Sequence, residues 1–137
     1  MSSLQERVRS PLLVWWVLWG SILASLVIVY LLFGRGPLPP NTAPEKSLTG
    51  LAGLVPLFVS IIIRWLVLPR YRDIGGAFVM FVVGIALAEL CGFLGVFLGG
   101  PYRDDLFILG LLGIAQYMPF FARQYLNPKP DGFFPNN

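Results

Sequence analysis

Four apolar blocks separated by short polar connections dominate this chain. The first runs from Pro11 to about Phe33 without a charged residue. Its twenty-three residues extend roughly 34 Å as a helix, more than the ~30 Å hydrocarbon core of a bilayer. The second, 48–68, carries one charge, Arg64, near its end. The third, 74–98, is interrupted only by Glu89, and the fourth, 105–122, is the shortest and is uncharged beyond Asp105. This pattern predicts an all-α membrane protein: a single-domain four-transmembrane-helix bundle over residues 1–137, with up-down topology and a short C-terminal tail, 123–137.

The connections carry stop signals. Gly34 to Lys46 is rich in proline and cannot continue a helix. Leu68 to Asp73 is a short basic turn, and Gly99 and Gly100 close the third helix. Asp104 and Asp105 suit the positive N-terminal end of the fourth. Pro56 and Pro119 each remove an intrahelical hydrogen bond, so kinks are expected there. Arg7 and Arg9 before the first block resemble the start of a signal peptide. The apolar stretch, however, is longer than the about 7–15 residues of such segments, and no small-x-small site follows it, so it reads as a retained span.

Composition narrows the functional classes. Hydrophobic residues make up 56% and charged residues 12% of the chain, with a mean hydropathy of +0.73. Soluble domains carry roughly 25% charged residues, so lipid is the natural solvent and the bilayer the first partner. The pI near 9.4 comes from cations scattered between apolar blocks, without the basic stripe that nucleic acid requires. No histidine is present and Cys91 is the single cysteine. An intramolecular disulfide, an ordinary zinc, haem or iron–sulfur site, and Ser-His or Cys-His catalysis are therefore outside this chain's own means. No cofactor is expected. Paired intramembrane aspartates are also missing, because Asp104 and Asp105 fall at an interface, so no enzyme is expected either.

Orientation follows from the cations. With a cytoplasmic N-terminus the inside holds Arg7, Arg9, Arg64, Arg70, Arg72, Arg123 and Lys129, and the outside only Arg35, Lys46 and Arg103. Seven against three places both termini inside, with the plasma membrane as the default location. Trp15, Trp16, Trp19 and Trp65 all fall toward the cytoplasmic half, and Trp15, Trp16 and Trp65 are expected in an interfacial belt. Tyr30, Phe33 and Tyr102 mark the outer rim.

The candidate chemistry sits at mid-depth. Glu89 lies fifteen residues from the start of the third helix, where an ionised carboxylate costs about 2.5–3.5 kcal/mol and marks a functional candidate. Gln116, ten residues into the fourth helix, is about 15 Å deep. Ser60 on the second helix and Ser21 or Ser25 on the first are at a similar level, so a Glu89–Gln116–Ser60 polar cluster is expected. Arg64, close to the cytoplasmic end, is expected to snorkel to the interface instead. A polar cluster of this kind either ties helices together, at about 0.6 kcal/mol per bond, or handles protons or substrate. Beside Glu89, the small residues Gly84, Ala88, Gly92, Gly95 and Gly99 form a stripe suited to close helix packing, within one bundle or against another subunit.

The stretch from Leu68 to Leu98, with Pro69-Arg70-Tyr71-Arg72 before Ala88-Glu89-Leu90-Cys91-Gly92, locally resembles the hairpin of rotary ATPase proteolipid subunits. That resemblance implies a proton-carrying Glu89. It covers under a quarter of the chain, and residues 48–68 lack the glycine ladder that packs such rings. In size and span number the chain also looks like the small multidrug resistance transporters, whose carboxylate lies in the first helix, where this chain has none. It is assigned to neither family. The sequence thus points to a non-catalytic membrane subunit or scaffold, contacting other membrane subunits or itself, with a proton-linked transporter or channel centred on Glu89 as the alternative.

Overall fold

A computed structural model describes the backbone of residues 2–36 and 51–126, with side chains from Pro11 onward. The side chains of Arg7 and Arg9, the proline-rich connection with Lys46, residues 48–50 and the tail with Lys129 lie outside the described residues. Most of those described are helical, and none is in a strand. Four helices are long and apolar enough to cross a membrane: Pro11–Gly34, Leu51–Arg70, Ile74–Leu98 and Gly100–Leu126.

Helix α1, Ser2–Val29, passes through Pro11 and widens into a π-helical turn, Tyr30–Gly34. A 3-10 turn, Leu51–Gly53, leads into α2, Leu54–Ile62, which continues as a π-helical turn, Ile63–Val67, and a 3-10 turn, Leu68–Arg70. Pro56, expected to kink this helix, stands in the first turn of α2, where a backbone N–H has no intrahelical partner to lose.

Helix α3, Ile74–Leu98, is capped by Asp73, whose carboxylate accepts from the Gly76 N–H at 2.6 Å. It ends where Gly100 takes φ 51°, the left-handed conformation that glycine enters without a Cβ clash. A 3-10 turn, Gly100–Tyr102, then feeds α4, Arg103–Ala115, with Asp104 and Asp105 in its first turn. The fourth span does not merely kink at Pro119. Met118, immediately before the proline, is driven out of the helical region to φ −52°, ψ 127°, and the chain resumes as a 3-10 turn, Pro119–Ala122, and a short α5, Arg123–Leu126. Residues 123–126, expected in the tail, are therefore helical.

The third span is the axis on which the others pack. Its buried positions, Ala77, Phe81, Gly84, Ile85, Ala88, Cys91, Gly92 and Gly95, recur at helical spacing. The stripe of small residues lies inside this packing. A Cβ added at Gly92 would strike Leu26 of α1 at 2.5 Å, and one at Gly95 would strike Leu106 of α4 at 2.5 Å. Gly110 brings α4 so close that its added Cβ would lie 2.9 Å from the Gly92 Cα. Cys91 is buried with its thiol toward the Leu106 carbonyl at 3.7 Å.

Helix ends meet in two groups. At one end Arg103 Nη1 donates to the Gly36 carbonyl at 3.0 Å, Tyr30 donates to Asp104 at 2.9 Å, and the Tyr30 ring stacks on Phe107 at 3.8 Å. At the other, the Tyr125 hydroxyl donates to the Leu68 carbonyl at 2.8 Å, and the Trp15 ring lies 5.2 Å from Phe78, 4.6 Å from Phe81 and 5.7 Å from Phe121. Trp15 is thus only 2% exposed and belongs to the core rather than to an interfacial belt. It lies eleven residues from buried Leu26, about three helical turns, and so on the same face. Trp65, by contrast, is 63% exposed. The outward faces carry apolar side chains such as Leu32, Val55, Phe58, Val79, Phe97 and Leu112, all exposed.

Candidate functional site

Helices α2 and α3 and the segment after α4 converge on a buried polar knot. Ser60 is fully buried, and its hydroxyl donates to the Gly84 carbonyl at 2.7 Å. The Tyr117 hydroxyl donates to the Ser60 carbonyl at 2.6 Å and lies 3.5 Å from Ser60 Oγ. Tyr117 occupies the space over Gly84, where an added Cβ would collide with its ring and hydroxyl. Three residues after Ser60, α2 passes into its π-helical turn, Ile63–Val67.

The break before Pro119 defines a second polar locus. A helix that ends inside a span leaves carbonyls without intrahelical donors, and they must be satisfied where water is scarce. Trp19 Nε1 donates to the Ile114 carbonyl at 2.9 Å, the Met118 N–H reaches the Ala115 carbonyl at 3.0 Å, and Arg64 Nε donates to the Gln116 carbonyl at 2.8 Å. The Arg64 guanidinium also lies 4.2 Å from the centre of the Phe121 ring. Arg64, expected to snorkel outward, instead turns toward the broken C-terminus of α4, whose negative dipole end attracts a cation. The Gln116 side chain accepts from Trp65 Nε1 at 3.2 Å, and its buried Nε2 has no hydrogen-bond partner.

Glu89 is elsewhere. It is partly exposed at the seam between α1 and α3, where its carboxyl interacts with the Ser25 hydroxyl. Five residues separate it from Gly84, a rotation of about 140° around α3, so it faces away from the Ser60 knot. The structure therefore does not gather Glu89, Gln116 and Ser60. Ser60 joins Tyr117 and Gly84, Gln116 joins Arg64 and Trp65, and Glu89 meets Ser25, while the Ser21 hydroxyl returns to the Val17 carbonyl at 2.7 Å. The small positions Gly84, Ala88, Gly92, Gly95 and Gly99 are all buried within the chain.

Tyr117 and Trp19 are polar participants outside the expected Glu89–Gln116–Ser60 cluster. A tyrosine or tryptophan deep in an apolar run needs a partner for its O–H or N–H, and that requirement is the signal that finds them. Among the described residues no group of three or more His, Cys, Asp or Glu side chains comes together as a metal site would require. No protein-family model, curated protein or solved structure matches the chain.

Proposed function

We propose that this chain is a small multi-pass plasma-membrane protein, an up-down four-helix bundle with both termini cytoplasmic, serving as a non-catalytic subunit or scaffold. The two groups of helix ends and the seven-to-three division of cations support that arrangement. One observation carries the functional reading: five polar side chains of the interior act on the chain's own backbone. Ser60, Tyr117, Trp19, Arg64 and Tyr125 each donate to a carbonyl of another segment. Such groups hold helices in register, at roughly 0.6 kcal/mol per bond. Interior glycines serve the same end by bringing α3 and α4 together.

A proton-linked carrier is the second reading, favoured by the mid-span carboxyl of Glu89 beside a hydroxyl on a neighbouring helix. Dissipation of a pH gradient across proteoliposomes holding this chain alone separates the two. The subunit reading expects wild type and Glu89→Gln both to match protein-free vesicles. Proton flux in the wild type that disappears in Glu89→Gln would overturn it.

A further inference from the structure

Glu89 lies fifteen residues after Ile74 and nine before Leu98, about 22 Å and 14 Å along α3 from its two ends. It stands at the margin of the buried face, with Ala86 and Leu90 exposed beside it on α3 and Ile28 exposed close to Ser25 on α1. A carboxylate accepts about four hydrogen bonds, and Ser25 supplies one neutral donor. Among the described residues Arg64 is the only cation more than a turn inside a span, and it is engaged with Gln116 and Phe121. Among the described residues no unengaged cation lies at the level of Glu89, so the complementary charge is sought on a partner. Ionisable groups within spans characteristically pair with one another. The small side chain of exposed Ala86, one turn from Glu89, leaves room for a helix backbone to approach.

We infer that the Glu89–Ser25 seam receives a transmembrane helix of a partner subunit that presents a basic side chain at mid-bilayer depth. This rests on the subunit reading and names the surface and the chemistry of its partner. The contact differs from the glycine stripe, which is already filled by α1 and α4.

The probe is a leucine-rich transmembrane peptide with one central arginine, compared with the same peptide carrying leucine at that position. Each is labelled for energy transfer to the labelled full chain in phosphatidylcholine vesicles. The arginine peptide is expected to associate about tenfold more tightly than the leucine peptide, the equivalent of one favourable intramembrane polar contact. Glu89→Gln should abolish that difference and Glu89→Asp should keep most of it, with circular dichroism confirming that both variants fold. Equal association of the two peptides with the wild-type chain overturns the inference and leaves the subunit reading standing. A preference for arginine that survives in Glu89→Gln also overturns it, because the contact would then lie elsewhere. Proton flux by the chain alone in the same vesicles, lost in Glu89→Gln, overturns the subunit reading itself and the inference with it.

Discussion

Enlarging Gly110 tests whether α3 and α4 truly meet backbone to backbone. A Cβ at this position would sit 2.9 Å from both the Cα and the N of Gly92 and 3.2 Å from the Ala88 carbonyl oxygen. Carbon atoms reach their best contact at about 3.5–4.0 Å, so the helices must part by roughly 0.6 Å or more. The atoms opposing the new methyl are backbone and cannot rotate away. Separation also loosens the neighbouring contacts of Gly95 with Leu106 and of Gly113 with Leu57 and Ala88, and a gap of about 0.5–1 Å forfeits a quarter to a half of each contact's attraction. Overpacking of this kind costs about 1–3 kcal/mol, against which alanine returns roughly 1 kcal/mol of helix propensity. Gly110→Ala should therefore lose roughly 1 kcal/mol, and Gly110→Val, bulkier and β-branched, about 3 kcal/mol. Gly20 on α1 is the control, since a Cβ there meets nothing within 4 Å; Gly20→Ala should be neutral or stabilising by up to about 1 kcal/mol. The assay is reversible unfolding by sodium dodecyl sulfate in mixed micelles, followed by tryptophan fluorescence. Equal stability of Gly110→Val and Gly20→Val would refute the close approach of α3 and α4.

In the same assay Tyr117→Phe and Ser60→Ala should each lose about 1 kcal/mol, and the double variant less than their sum, because they share one knot; full additivity would separate the two groups. Arg64→Met should lose about 1–3 kcal/mol by leaving the Gln116 carbonyl unpaired, and an unchanged unfolding midpoint would contradict its capping role. A membrane-impermeant maleimide should leave the buried Cys91 unlabelled in intact vesicles. In a Cys91→Ala background, cysteines placed at Gly36 and Arg72 should label from opposite faces of the membrane; labelling from the same face would refute the up-down arrangement.

The apolar runs are legible in the chain because a span must be continuous and nearly free of charge whatever it packs against, and the helices over 11–34, 51–70 and 74–98 follow them closely. The break in the fourth span is only half legible. Pro119 announces a disturbance, but whether a proline kinks or ends a helix depends on donors for the freed carbonyls; here the Met118 N–H serves Ala115, the Tyr117 N–H and Trp19 share Ile114, and Arg64 reaches Gln116. The polar cluster fails for a different reason. Residue spacing gives only an approximate depth: Ser60 stands level with Gly84, five residues or about 7.5 Å along α3 from Glu89. Azimuth decides contact, and it depends on how each helix is rotated by its largest and smallest side chains, here Tyr117 over Gly84 and Leu26 over Gly92. Arg64 misleads similarly: its long side chain reaches the interface in principle, yet an unpaired carbonyl lies nearer.

The reading of this chain as a membrane subunit is tested most directly by purifying it in mild detergent from its native membrane and measuring the native mass. A stoichiometric foreign membrane chain, retained by wild type and diminished in Glu89→Gln at equal yield, is the predicted result. A lone monomer or a homo-oligomer, identical in the two proteins, would contradict the account.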